Sequence, residues 1–271
     1  MKKRIPKGAR AIVTGAGSGL GRAIALELAS RGASVLASDV DLATAEETAA
    51  KAREAGATAE AKRADVSNAD DVKKLVDHAH ERWGGLDVLV NNAGVAVVGE
   101  VGEVSLADWR HEIDVNLLGV IHGCHFAVPE MKKARRGWIL NVASAAGFVS
   151  APHMGPYNVT KAGVISLSET LRTELEEHGV AVSALCPTFF RTNIHKAQRS
   201  SERLREASAK LVEQATWSAE AVARVALRGL ERGDLYIIPQ VDGRAIWHAK
   251  RALGGGFYKF VGKVVRRGFN V

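Results

Sequence analysis

Cysteine is nearly absent from this chain: there are two in 271 residues, Cys124 and Cys186, far apart in sequence. A disulfide framework or a thiolate metal site needs clustered thiols, so both are excluded and a reducing compartment is expected. Also missing is any apolar run of about 18 residues, the length a membrane-spanning helix needs. The opening Met1-Lys2-Lys3-Arg4-Ile5-Pro6 carries charge with no long apolar stretch behind it. Neither a secretory leader nor a spanning helix is expected, and the chain reads as cytoplasmic. Acid is missing from both ends. Residues 1–10 hold five basic residues and 244–271 hold seven, which leaves 25 basic against 30 acidic residues between them although the formal net charge is +7. Nonspecific affinity for nucleic acid is largely electrostatic, so a mildly acidic body argues against nucleic acid as a partner.

What is present is an ordinary globular mixture, 46% hydrophobic and 25% charged, enough to bury one large core. Short apolar runs alternate with Ala-rich segments of helical spacing, the pattern of βαβ units. Strands are predicted at 10–14, 33–38, 59–64, 86–90, 137–142, 180–185 and 234–238. Helices are predicted over Leu20–Arg31, Leu42–Ala55, Ala69–Arg82, Leu106–Met131, Tyr157–His178 and Ala219–Glu231. The fold class that follows is α/β: a single-domain, doubly wound (Rossmann-type) parallel sheet with helices on both faces. The catalytic domain is expected over 1–243, with a lid-like insertion at about 190–216, and 244–271 reads as a basic, aromatic extension.

After the first predicted strand comes Thr14-Gly15-Ala16-Gly17-Ser18-Gly19-Leu20-Gly21, leading directly into a helix. Glycines there permit a tight turn and let backbone N–H groups and the helix N-terminus approach a pyrophosphate. The second strand ends at Asp39, where a carboxylate accepts hydrogen bonds from adenosine ribose hydroxyls and repels a 2′-phosphate; the neighbouring Asp41 suits a helix cap. The fourth strand ends in Asn91-Asn92-Ala93-Gly94, beside the expected reversal of strand order, and Ser144 follows the fifth. Tyr157 and Lys161 stand four apart on a predicted helix and so share a face, where a cation favours phenolate over a phenol that ordinarily titrates near 10.

Together these motifs resemble the short-chain dehydrogenase/reductase family over about residues 8–240. The resemblance implies that Thr14, Gly15, Gly17, Ser18, Gly19, Leu20 and Gly21 form the cofactor turn and that Asp39 reads the ribose. It implies contacts to the dinucleotide from Asp65, Val66, Asn92, Ala93, Gly94, Pro187 and Thr192, with Tyr157 and Lys161 also touching it. The family's catalytic tetrad maps onto Asn116, Ser144, Tyr157 and Lys161. Ser144 and Tyr157 would hold the substrate oxygen while hydride passes to or from the nicotinamide. Tyr157 would move the proton, Lys161 would lower the phenol pKa, and Asn116 would anchor a water. One departure stands out: Thr188 follows Pro187 where the family usually has glycine, and a β-branched residue restricts the backbone.

The implied activity is interconversion of a secondary alcohol and ketone on an apolar small molecule. Phe148, His153, Met154, Phe189 and Phe190, with Val95–Val98 and Val149, are the expected substrate wall around Ser144 and Tyr157. NAD is the expected cofactor because neither Ser18 nor Val40 is basic. The alternatives are an NADP-dependent ketoreductase and a non-catalytic NAD-binding sensor, whose tell would be a broken tetrad. No metal is expected: His122 and His125 lie three apart but lack a third ligand. A homo-oligomer, dimer or tetramer, is expected from the family. Residues 244–271 either pack on the body or lie on an anionic membrane as a peripheral contact, with Gly254-Gly255-Gly256 interrupting any long helix.

Overall fold

The computed structural model describes residues 3–192, 210 and 212–259. Seven parallel strands form its sheet: β1 (Arg10–Thr14), β2 (Ser34–Asp39), β3 (Ala59–Arg63), β4 (Val88–Asn91), β5 (Gly137–Val142), β6 (Val180–Leu185) and β7 (Tyr236–Ile237), in the order β3-β2-β1-β4-β5-β6-β7. The first and fourth strands are neighbours, Ile12 opposite Leu89, so strand order reverses between them and a crevice opens beyond their carboxyl ends.

Alternation within each strand sends side chains to two cores. Ala11 and Val13 of β1 face the layer of α1 (Gly19–Ser30), α2 (Leu42–Glu54) and α8 (Ala219–Arg232); Ile12 faces the layer of α3 (Ala69–Trp83), α5 (Gly119–Ala134), the short α6 (Ala146–Val149) and α7 (Gly155–Leu175). Local chemistry fixes the helix ends. The Asp41 carboxylate accepts from the Ala43 N–H at 3.0 Å to start α2, and Gly84, left-handed at φ +74°, stops α3.

Two elements differ from the sequence expectation. The single helix expected over Leu106–Met131 is α4 (Leu106–Ile113), a π-helical turn (Asp114–Leu118) and then α5. Asn116 sits in the wide turn and bonds out of the helix to loop backbone at Val95, which the 3.6-residue periodicity alone does not reveal. The expected boundary between 243 and 244 falls inside α9 (Val241–Leu253), because Ile246 and Trp247 pack against the α3/α5/α7 core layer. Most of the lid expected at about 190–216, namely 193–209 and 211, lies outside the described residues, as do Phe260 to Val271 of the tail.

Candidate active site

At the crevice, Thr14 closes β1. Its hydroxyl accepts from the N–H groups of Asn92 (3.0 Å) and Ala93 (3.1 Å), and the Asn92 amide donates back to the carbonyls of Thr14 (2.9 Å) and Gly15 (3.1 Å). The turn and the wall beyond β4 are thus one rigid unit. Gly15 (φ +61°) and Gly19 (φ +51°) adopt the left-handed region, and a Cβ on Gly21 would stand 2.0 Å from the Gly15 carbonyl oxygen. Ser18 occupies the N-cap of α1 without a side-chain cap, Leu20 is buried, and the Gly17 N–H donates to Asp39 at 2.9 Å. Thr192 lies against this turn, its hydroxyl 3.1 Å from where a Gly19 Cβ would be.

Further along, the Asp65 carboxylate accepts from the Ser67 N–H (3.0 Å) and hydroxyl (2.6 Å), and the Val66 carbonyl is bonded to His122 Nδ1 at 2.9 Å. The Pro187 carbonyl accepts from Ala145 N–H at 2.9 Å, tying the end of β6 to the residue after Ser144. The donor set suits a dinucleotide: a glycine turn at a helix N-terminus, a carboxylate at the end of β2 and a glycine at 94. A Cβ on Gly94 would come within 3.1 Å of Asn116 Oδ1 and 3.5 Å of Lys161 Nζ, so only glycine leaves that lane open.

Helix α7 starts with Pro156 in its first turn and places Tyr157 and Lys161 on one face, with Lys161 Nζ 5.5 Å from the centre of the Tyr157 ring. The Tyr157 hydroxyl lies beside Ser144, which favours its ionised form, and Ser144 Oγ accepts from the Ala146 N–H at 3.1 Å. Lys161 is buried and donates to the Val142 carbonyl at 2.9 Å. Asn116 is fully buried. Its amide donates to the Val95 carbonyl (2.9 Å) and Glu112 (3.1 Å) and accepts from the Val95 N–H (2.8 Å). Ser144, Tyr157, Lys161 and Asn116 are therefore brought into one group beside Gly94.

Electrostatics here are governed by burial. Burial pushes the Tyr157 phenol up to about 12, partly offset by Ser144 and reinforced by the nearby Glu112 carboxyl. Burial lowers Lys161 to about 8. The surprise is Glu112, a buried carboxyl raised to about 8 by burial although Lys161 pulls it down. Sequence reasoning passed over it, and its i, i+4 relation to Asn116 on a predicted helix was the available signal.

The expected substrate wall is only partly assembled. Met154 forms a bridge with Gly99, and His153 (φ +60°) accepts from the Gly99 N–H through its carbonyl, so these residues join the 95–99 loop to the start of α7. Phe148 is buried in the core, 4.8 Å from Trp247 in an edge-to-face pair. Phe190 packs instead on the α1/α8 core layer and Phe189 is half exposed. Both follow Thr188, whose N–H donates to Gln240 Oε1 (3.1 Å) and whose hydroxyl donates to Asp242 (3.2 Å) at the start of α9.

The family model for short chain dehydrogenase matches residues 9–203. The chain belongs to the short-chain dehydrogenase family. Among its relatives, 3beta-hydroxysteroid dehydrogenase 1 of Eggerthella lenta is 36% identical over 208 residues, covering 76% of this chain and 80% of the relative. The 3-oxoacyl-[acyl-carrier-protein] reductase FabG of Staphylococcus aureus is 37% identical over 201 residues, 72% of this chain and 79% of the relative. A short-chain dehydrogenase/reductase from Burkholderia phymatum, solved in complex with NAD, superposes with a TM-score of 0.86 at 35% identity, covering 91% of this chain and 95% of its own. No helix among the described residues is long and apolar enough to cross a membrane.

Proposed function

We propose that this short-chain dehydrogenase interconverts a secondary alcohol and a ketone on an apolar small molecule, with NAD as its cofactor. The observation that carries the reading is the Ser144–Tyr157–Lys161 group beside the Gly94 lane at the switch point. When bound, the nicotinamide would supply the hydride acceptor or donor. Ser144 and Tyr157 hold the substrate oxygen by hydrogen bonds, and Tyr157 takes or returns its proton. Lys161 offsets the phenolate charge and holds the nicotinamide ribose, and Asn116 keeps the adjoining loop in place for a water that carries the proton outward. The steroid-acting relative and the aliphatic residues around 95–98 support an apolar substrate.

The preference for NAD over NADP rests on Asp39, whose carboxylate closes β2 beside the glycine turn and would repel a 2′-phosphate brought to it. The reductase relatives keep an NADP-dependent ketoreductase as the second reading. Homo-oligomers are part of the proposal. An absorbance screen of secondary alcohols and ketones with NAD(H) and NADP(H) tests it: turnover with an apolar alcohol or ketone and NAD(H) supports the reading. No turnover across steroid, terpenoid, aromatic and acyl substrates, with cofactor binding intact, supports a sensor instead.

A further inference from the structure

Among the described residues, Glu112 is the one fully buried carboxylate facing the proposed reaction centre that the proton chemistry above leaves unused. Helix α4 presents it four residues ahead of Asn116. Both oxygens are engaged: Oε1 accepts from the Asn116 amide (3.1 Å) and Oε2 from the Val97 N–H (3.1 Å). Asn116 in turn grips both backbone groups of Val95. One carboxyl thus fixes the amide of the wide helical turn and the loop that runs on from the Gly94 lane.

Its charged surroundings come from every side of the group. From α7, Lys161 Nζ reaches the same residue as the amide that Glu112 holds: a Cβ on Gly94 would stand 3.5 Å from Nζ and 3.1 Å from Asn116 Oδ1, so the ammonium and the Glu112–Asn116 pair flank one position. At that range Lys161 acts on Glu112 and Glu112 on Tyr157, and Cys186, after β6, acts on Lys161. On the loop before α4, Glu100 approaches His153 at 3.8 Å, and on α4 itself Asp108 bonds to Ser105, with His111 half-buried beside it. A buried carboxyl and a buried ammonium are each costly alone and offset each other's desolvation.

We propose that Glu112 is a positioning residue of this centre, holding the Asn116 amide and serving as the buried counter-charge to Lys161. Three ionisable groups, not two, then set the charge around Tyr157. With Glu112 ionised, the Lys161 ammonium is supported and the Tyr157 phenolate opposed; with Glu112 neutral, the cation acts on the phenol undiluted. The kinetic consequence rests on the proposed function, whereas the charge coupling does not.

The coupling is read without substrate or cofactor, by titrating protein labelled with 13C at the glutamate carboxyls. One carboxyl midpoint is expected above the ordinary range and is expected to rise further in Lys161→Met, since removing the ammonium removes its support. Coupling is reciprocal, so the Lys161 midpoint, followed by 15N at Nζ, is expected to fall in Glu112→Gln. Either variant carries the test if the other does not fold, and midpoints that ignore the partner's removal overturn the proposal. In turnover, Glu112→Gln is expected to slide both limbs of the pH profile of kcat/KM to lower pH, by roughly one unit. A purely structural role would lower the melting temperature and leave the limbs in place, which would overturn the counter-charge. Retained activity in Tyr157→Phe would instead sink the proposed function and leave the titration result standing.

Discussion

Burial raises the Tyr157 phenol to about 12, so in the proposed reaction its proton would pass in step with the substrate oxygen rather than by prior ionisation. Tyr157→Phe removes the hydroxyl and leaves the ring, and positioned acid–base help is typically worth 10²–10⁴ in rate. Turnover is therefore expected to drop at least about a hundredfold, with NADH affinity, read by fluorescence, nearly unchanged. Asp39 is a second single-residue test. Its carboxylate accepts from the N–H groups of Gly17 (2.9 Å) and Asp41 (3.2 Å), which fixes the side chain at the end of β2. Asp39→Ala is expected to narrow the preference for NAD(H) over NADP(H), measured as the ratio of kcat/KM values. Equal efficiency of the native protein with both cofactors would remove Asp39 from the ribose position.

At the scale of elements, the turn between β1 and α1 discriminates between glycines that look alike in sequence. A Cβ on Gly21 would meet the Gly15 carbonyl at 2.0 Å, which is backbone and cannot step aside; one on Gly17 would meet the Thr44 hydroxyl at 2.1 Å and the Asp39 carboxylate at 2.8 Å, which can rotate away, and the Thr44 Cβ at 2.8 Å, a milder clash that a small shift of α2 must relieve. Gly21→Ala is expected to abolish cofactor binding and lower the melting temperature, whereas Gly17→Ala weakens binding with a smaller loss of stability. Calorimetric titration with NADH together with thermal denaturation reads both. This turn, the seven strands and the Tyr157/Lys161 face were legible because glycine placement and apolar period are local signals. The π-helical turn at 114–118 was not, since its cause is a contact between Asn116 and Val95, a loop residue 21 positions away. The packing of Phe190 was not legible either: the sequence shows an aromatic after Pro187, but not which core layer it joins. Glu112 was hidden because a charged residue on an amphipathic helix ordinarily faces water.

For the molecule as a whole, acid stability hangs on a site remote from the chemistry. Asp87 is buried at the amino end of the sheet and accepts from the Arg10 side chain at 2.7 and 2.9 Å and from Arg136 at 2.5 and 3.1 Å. Burial works against its ionisation, but bonds from the two guanidiniums and from the Arg10 backbone win and hold its pKa below the ordinary value. A depressed carboxylate contributes stability that is present above its unfolded pKa, about 3.9, and is lost as pH falls through the folded value. Asp87→Asn is expected to cost roughly 3 kcal/mol at pH 7 and to flatten the loss of stability below about pH 4, read by urea denaturation across pH. The basic segment 244–271 also acts at this scale. Trp247 lies 4.7 Å from Tyr236 and 4.8 Å from Phe148, with the Arg251 guanidinium 3.3 Å above its ring, so α9 packs on the body. Truncation at Gly243 is expected to lower the melting temperature or change the subunit count without affecting sedimentation with anionic vesicles. Tail-dependent, salt-sensitive sedimentation of the full chain would assign the segment to a membrane surface instead. The clasp of Thr188 with Gln240 and Asp242 also bears on how the chain is made. A ribosome adds about 5–20 residues per second, so a growing chain carries its dinucleotide turn and Asn92 wall many seconds before the segment that fixes the loop after β6 emerges. Partly synthesised chains would meet cofactor first and gain a finished substrate side only once α9 has emerged.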